Sequence, residues 1–541
     1  MIVPTLSATA MPSPSVIYKT LSTAKSVWTG TLGGAALGNN TSALWAALSP
    51  RLPRRQNRFV IDQAKREKLM ITRRSSIKLA GAASLAAIRP ARAAGRPDVI
   101  VMGAGLAGLY SAQLLEQAGM KVRVLEGSPR VGGRCMTAYD LPGHPELGAQ
   151  QIGQMYARVR AMAGKYNIKL VPPLAGTASE THQLPMSISL NQRPIIRQPW
   201  VDSPENPMQG DERKLLPNLI YPSYVNRDMP LKSIYDWYDP KFAKYDTQSL
   251  RQLMVAEGAS PAAIGLADYD VYTNDTADWS ALDALRKNFY YGWEAQHGTF
   301  DTAVDGTSAI PNAMAAHLAQ PVQLNKFVHT ISQDKTGVTV ECEDGSTHQG
   351  SFLLCTVPFS VLRGIKINNT PMPAAQRRAI NELDYSKIVS VWVDPKRNYW
   401  EQDGLPEFLW SNGPQERMFS VPSHVREEAN LSFYVRGRHG VEISNMAPQA
   451  AFAYLTENLA QIRPSSKGAL ELLRVHSWPN YKYNRGGYAY FKPGQVNDFG
   501  TVMAQPAGRI HFAGEHTAKL AAGMEAACES GERASLEILG V

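Results

Sequence analysis

Three glycines at Gly103, Gly105 and Gly108 and an acid at Glu126 are the residues whose types and spacing first promise chemistry. They sit in DVIVMGAGLAGLYSAQLLEQAGMKVRVLEGSPRVGGR, Asp98 to Arg134. In a GxGxxG turn the first glycine permits a tight reversal, the second lets the backbone approach a pyrophosphate, and the third allows close helix packing. Ala107 falls between the last two, inside the phosphate-facing turn. Glu126 follows at roughly the twenty-residue distance at which a carboxylate accepts hydrogen bonds from a ribose. The same carboxylate repels a 2′-phosphate, which argues against NADP. A second acid at a glycine turn, Gly514-Glu515, lies near the other end of the chain, followed by Gly523-Met524-Glu525.

These residues need particular elements to position them. The apolar run DVIVM predicts a buried strand, LAGLYSAQLLEQ an amphipathic helix, and KVRVLE a second strand ending at the acid. That order is a βαβ unit, and its helix points free N–H groups and a positive dipole end at the phosphates. RIHFAGEHTAKLAAGMEAACESGERASLEIL, Arg509 to Leu539, predicts a short strand, a turn and a closing helix.

VGGR, Val131 to Arg134, resembles the extended fingerprint of flavoproteins with two dinucleotide-binding domains, which hold FAD. From about residue 96 onward the chain resembles the flavin-containing amine oxidases of the monoamine oxidase and L-amino-acid oxidase superfamily. The resemblance implies an α/β, FAD-binding Rossmann-like fold with an inserted α+β substrate domain. FAD-binding segments are expected over 95–180, 312–362 and 475–541, and substrate-domain segments over 181–311 and 363–474. Within the first insertion, His182 to Asp270 reads as irregular cover with short helices.

The resemblance also implies roles. Arg134 would meet the pyrophosphate or ribityl group, and Glu515 the ribityl and phosphate groups. Gly523 and Met524 would open a helix facing the flavin pyrimidine. Gln150 and Gln151, in ELGAQQIG, would run along the isoalloxazine, and the backbone of Val328 would meet adenine. Trp478 would stand beside the flavin. Tyr488 would form one wall of an aromatic cage, aligning the amine and excluding water. The implied reaction takes a small-molecule amine to an imine and then a carbonyl, releasing ammonia. Dioxygen or another electron acceptor then takes the electrons, giving hydrogen peroxide when it is dioxygen. An L-amino-acid oxidase and a desaturase of a hydrophobic substrate are the alternatives.

Four departures qualify the resemblance. Gly487 stands where members with covalently bound FAD carry a cysteine, so the FAD is expected to be non-covalent. Ser390 falls where many members have a lysine beside the flavin, with Lys387 three residues early. Gly523 replaces the second cage aromatic, for which Tyr290, Tyr291, Trp293 and Trp410 are candidate substitutes. Gln150 and Gln151 replace the segment in which several amino-acid oxidases place an arginine. This favours an amine without a carboxylate, with Arg485 as an alternative source of the missing cation.

Composition narrows the classes. With 541 residues and 44% hydrophobic content, the chain can bury a large core in two domains. The net charge of +9 is misleading, because residues 1–94 hold fourteen basic residues against two acids. The remainder carries 42 basic and 45 acidic residues, which gives no footprint for nucleic acid. Four scattered cysteines lack metal-ligand spacing, so no metal site is expected, and Cys342 and Cys355 read as buried thiols. Thr72-Arg73-Arg74-Ser75-Ser76-Ile77-Lys78, then LAGAASLAAI, then Ala91-Arg92-Ala93, reads as a twin-arginine signal with a cleavage site. Met70 is then the expected start, and the destination the periplasm or beyond; an organelle transit peptide is the alternative.

Overall fold

The run Val99–Met102 is buried at every position, as a strand covered on both faces must be. In the computed structural model, which describes residues 97–174 and 185–541, it is one of the two inner strands of a four-stranded sheet. The order is Ile510–Phe512, Phe352–Cys355, Val99–Met102, Val122–Leu125, with every neighbour parallel. The targeting region expected over 1–94 lies outside the described residues. Helix Leu106–Gln117 follows the first strand, and helix Gly523–Leu539 packs across it. Their contact depends on Gly531, where a Cβ would lie 2.6 Å from the Ala107 carbonyl oxygen. The Ser111 hydroxyl donates to the carbonyls of Ala107 (2.8 Å) and Gly531 (3.0 Å), binding the two helices together. The two ends of the sequence therefore share one sheet and one helix pair.

A second sheet has six strands in the order Leu470–Ser477, Val389–Pro395, Asn430–Val435, Arg417–Val421, Leu409–Ser411, Ser187–Ser189. Its strands alternate with period two, and the two faces serve different ends. Val389, Val391, Val393, Leu431, Phe433, Val435 and Met418 face a core with Leu455 and Leu459 of helix Pro448–Ile462. Ser390, Trp392, Ser432, Tyr434, Arg417, Phe419 and Val421 face a cavity instead. The strand Ser187–Ser189 joins the two substrate-domain insertions by pairing parallel with Leu409–Ser411. The domain boundary expected at 475 falls inside the strand Leu470–Ser477, which pairs with Val389–Pro395 along its whole length and so stays in the six-stranded sheet to Ser477.

A smaller sheet of Lys366–Asn368, Val328–Gln333, Val338–Cys342 and Thr347–Gly350 flanks the parallel one. Its first strand pairs parallel with the second beyond residue 362, because the edge at Thr330–Ser332 needs a partner. Between residues 185 and 270 the chain forms short helices, among them Ile220–Val225, Leu250–Ala256 and Pro261–Ala267. Tyr221, Tyr224 and Trp237 of this cover are buried in the main core. All four cysteines are free and buried. Among the described residues, no helix is long and apolar enough to cross a membrane.

Candidate active site

The cavity faced by the second sheet has a volume of about 680 Å³ and extends without interruption to the glycine turn of the first. At the glycine end, backbone geometry shapes the wall. Gly103 has φ +107°, and a Cβ there would lie 2.6 Å from Thr356 Oγ1. A Cβ on Gly108 would collide with the Gly103 carbonyl, so this glycine packs helix against strand and lies behind the cavity. Gly105 is different. A Cβ there would find only Gly133 Cα, at 4.0 Å, and the space it would occupy is the cavity. No side chain caps the helix that Gly105 opens, nor the helix opened by Ala522, Gly523 and Met524, and both openings line the cavity. Two helix N-termini thus present uncapped N–H groups to one chamber, a donor set suited to a pyrophosphate and to an anionic ring edge.

Glu126 is fixed rather than free: its carboxylate accepts from the N–H of Ala104 (2.7 Å) and of Ser128 (2.8 Å). That fixes the acid at the strand end with lone pairs left for ribose hydroxyls. Val328 and Ala107 also line this end. The cradle, the uncapped helices and the acid fit an FAD whose adenosine half lies here.

Arg134 and Glu515 make the junction. Arg134 Nη1 donates to Glu515 Oε2 (3.1 Å) and to the carbonyl of Gly487 (2.5 Å), so the two distal cofactor motifs meet directly. Trp478 is buried, its indole N–H donates to the Leu147 carbonyl (3.0 Å), and its ring packs against Gly148. Glu146, at the head of the same segment, accepts from Thr137 Oγ1 (3.0 Å) and from the N–H and hydroxyl of Thr307 (2.6 and 2.8 Å). Burial pushes its carboxyl up to about 7 despite these bonds. Gln150 and Gln151 follow on the cavity wall. Gly487 also lines it, and a Cβ there would meet Ile388 Cδ1 at 2.6 Å, so no side chain is available to bind a flavin covalently from this position. Cys135 borders the cavity too, but burial pushes its thiol up to about 12 and keeps it protonated.

Tyr488 stands where the cofactor end opens into the substrate end. It is 37% accessible because its ring borders the cavity. Its ring meets that of Tyr272 edge-on at 5.9 Å, and its hydroxyl is hydrogen-bonded to Tyr434. The neighbouring Tyr434 and burial both raise the Tyr488 phenol, as burial does those of Tyr272 and Tyr434, so all three are neutral. Tyr156, Tyr221 and Tyr291 continue the wall.

Thirteen of the fourteen residues singled out from the sequence line this chamber, Gly108 being the exception. Other expectations fall differently. Of the four aromatic substitutes for the missing cage ring, Tyr291 lines the cavity while Tyr290, Trp293 and Trp410 do not. Trp410 is fully buried in the core, and Trp293 packs on His297. The space beside Gly523 is taken by Tyr156, whose hydroxyl would lie 2.7 Å from a Cβ at that position. Arg485 is not on the cavity: it turns away at φ +53° and lies against Gly364. Lys387 is held by Asp384 at 2.9 Å and is also off the wall, whereas Ser390 is on it. Sequence reasoning missed Tyr156, Tyr272, Tyr434, Arg417 and Arg436, all cavity residues. The alternation in RMFSV and NLSFYV was the available signal for two of them, Arg417 and Tyr434.

Comparison with known proteins agrees with this geometry. The family model described as flavin containing amine oxidoreductase matches residues 106–539. A putative L-amino-acid oxidase of Bacillus subtilis (strain 168) is 25% identical over 479 residues, covering 81% of this chain and 94% of the relative. A flavin-containing amine oxidase of Danio rerio is 25% identical over 466 residues, covering 82% and 85%. Among solved structures, a putrescine oxidase bound to putrescine superimposes with TM-score 0.68 at 20% identity, over 83% of this chain and 100% of the other. Cyclohexylamine oxidase from Brevibacterium oxydans IH-35A gives TM-score 0.68 at 17% identity, over 82% and 99%. The glycine cradle, the Arg134–Glu515 junction and the match over 106–539 lead to one conclusion: the chain belongs to the flavin-containing amine oxidoreductase family and is an FAD-dependent enzyme that oxidatively deaminates amines.

Proposed function

We propose that this enzyme acts on an amine without a carboxylate on its reacting carbon, passes the electrons to dioxygen, and works in the periplasm after twin-arginine export. The observation that carries the substrate reading is on the cavity wall: Gln150 and Gln151, where several amino-acid oxidases place an arginine, are neutral, and Arg485 is off it. A carboxylate on the reacting carbon would have to be desolvated against these glutamines, at a cost that neutral side chains do not offset. The paired arginines at 73 and 74, before a short apolar run, support the export reading.

Bound in this chamber, FAD supplies a two-electron acceptor for a hydride equivalent from the carbon next to nitrogen. The protein's own residues supply the rest. Glu126, Arg134, Glu515 and the two helix openings hold and orient the cofactor. Neutral Tyr488, hydrogen-bonded to Tyr434, flanks the nitrogen with an aromatic face, and the removal of water there disfavours the charged ammonium. Trp478, pinned to Leu147, excludes water from the reacting side. The imine that leaves is hydrolysed by water to a carbonyl compound and ammonia.

An L-amino-acid oxidase is the second reading, favoured by the name of the Bacillus subtilis relative. Matched pairs decide between them. The purified protein, starting near residue 94, is given amines and their α-carboxylated parents in air, and ammonia and hydrogen peroxide are measured. Equimolar ammonia and peroxide from the amines alone is the expected result. Turnover of the α-amino acids alone overturns the first reading, and ammonia without peroxide, seen only with an artificial oxidant, overturns dioxygen as acceptor.

A further inference from the structure

Beyond Tyr434, the cavity wall changes character. Arg417 and Tyr434 are register partners on adjacent strands, so they stand side by side on the cavity face. Ser390 is the partner of Tyr434 on its other side. Across the sheet, Arg417 is therefore two strands from Ser390, roughly 10 Å at ordinary strand spacing. Arg436 joins it, its guanidinium 5.7 Å from the Tyr434 ring and 5.9 Å from the Tyr272 ring.

These guanidiniums are buried, with 12% of the Arg417 side chain and 4% of that of Arg436 exposed. One carboxylate on the wall answers both: Asp270 pairs with Arg417 and lies 3.7 Å from Arg436. Glu416 is engaged from behind, accepting from the Arg436 N–H (3.0 Å) and contacting His439 Nδ1 (3.0 Å), and it is not on the cavity. Among the described residues, Nε of Arg417 and Nε of Arg436 have no hydrogen-bond partner. Burial and the second guanidinium both disfavour the charge on Arg417. Two buried guanidiniums on the cavity wall facing one wall carboxylate leave an excess of positive charge that an anion offsets.

We infer that Arg417 and Arg436 bind an anionic group, a carboxylate, at the end of the substrate remote from the nitrogen being oxidised. The substrate class is then an amine carrying a carboxylate several bonds away, with the chain between them lying along Tyr272 and Tyr434. This inference rests on the proposed amine oxidation at Tyr488 and assigns its specificity. Arg417 and Arg436 are specificity-determining, with no part in the bond-breaking step.

The test compares 5-aminopentanoic acid with pentylamine on the FAD-loaded enzyme, by kcat/KM and by the rate of anaerobic flavin reduction. Wild type is expected to prefer the amino acid at least tenfold, and Arg417→Gln to collapse that ratio towards one, with Arg417→Lys recovering part of it. Pentanoate, which cannot be oxidised, is expected to raise the melting temperature of wild type and to compete with the amino acid. A wild-type ratio at or below one overturns the inference, as does a ratio that Arg417→Gln leaves unchanged. Should Arg417→Gln not fold, the wild-type ratio and pentanoate competition decide alone. Reduction by norvaline but by neither test compound also overturns it. Failure of every amine and amino acid to reduce the bound flavin is a different outcome, because it removes the amine-oxidation reading on which the inference stands.

Discussion

The two ends of the cavity are built on opposite principles. At the cofactor end the wall is mostly backbone: a glycine turn, two uncapped helix openings, and an acid locked by two N–H groups. At the substrate end it is side chain: tyrosines and arginines on neighbouring strands and on the cover between residues 185 and 270. A backbone wall tolerates almost no change but hardly depends on residue identity elsewhere. A side-chain wall can be rewritten one residue at a time, which suits a family in which one cofactor serves many amines.

The largest expected effect separates two glycines three residues apart. Gly108→Val drives a side chain into the Gly103 backbone and should yield no soluble folded protein. Gly105→Val has room within the protein and intrudes only on the cavity, so it should fold but bind FAD about 100-fold more weakly, ~2.7 kcal/mol. Expression, circular dichroism and flavin titration check both; equal behaviour of the two variants would erase the distinction.

Next in size is the frame of the substrate end. Arg463 is buried and donates from Nε and Nη2 to the two oxygens of Asp403 at 2.8 Å each. Arg463→Met leaves that carboxylate unpaired and should destabilise the fold by about 3–5 kcal/mol. Burial pushes the Asp403 carboxyl up, but Arg463, Ser465 and the Leu405 N–H outweigh it and hold it at about 2. Because this pKa is depressed, its stabilisation is complete above the unfolded value of about 3.9 and is lost as pH falls through about 2. Melting curves should show that acid-side loss in wild type and a smaller one in Arg463→Met.

A smaller effect is expected at Tyr488, where the ends meet. Tyr488→Phe removes the hydroxyl that bonds Tyr434 and should cost about 1 kcal/mol in kcat/KM, roughly fivefold, with FAD content unchanged. A loss of FAD instead would place this residue in the cofactor wall. A last effect is a change of slope. Glu146 is raised to about 7, so wild-type stability should decline as pH rises from about 4.5 to 7 and stay lower above it. Glu146→Gln should flatten that decline in a melting-temperature series.

Legibility in the sequence follows the same division. Gly105, Glu126 and the helix between them lie within one βαβ unit, so local spacing announced their geometry. Glu515, far off in sequence, was legible through the resemblance of its turn, FAGE, to that of the flavin-containing amine oxidases. Tyr434 and Arg417 were not, because only the register between Asn430–Val435 and Arg417–Val421 places them side by side, and strand register is a long-range property. Arg485 erred for the converse reason: nearness to Tyr488 in sequence says little across a turn that holds it at φ +53°.

The central claim is that both ends form one chamber in which bound FAD and an amine meet at Tyr488. Anaerobic mixing of the FAD-loaded wild type and Tyr488→Ala with a series of amines tests it most directly. The account predicts loss of oxidised-flavin absorbance in wild type, with a rate that saturates in amine, and a fall of about 100-fold in Tyr488→Ala that still holds its FAD. Bound flavin that no amine reduces, or reduction at the same rate in both proteins, would contradict it.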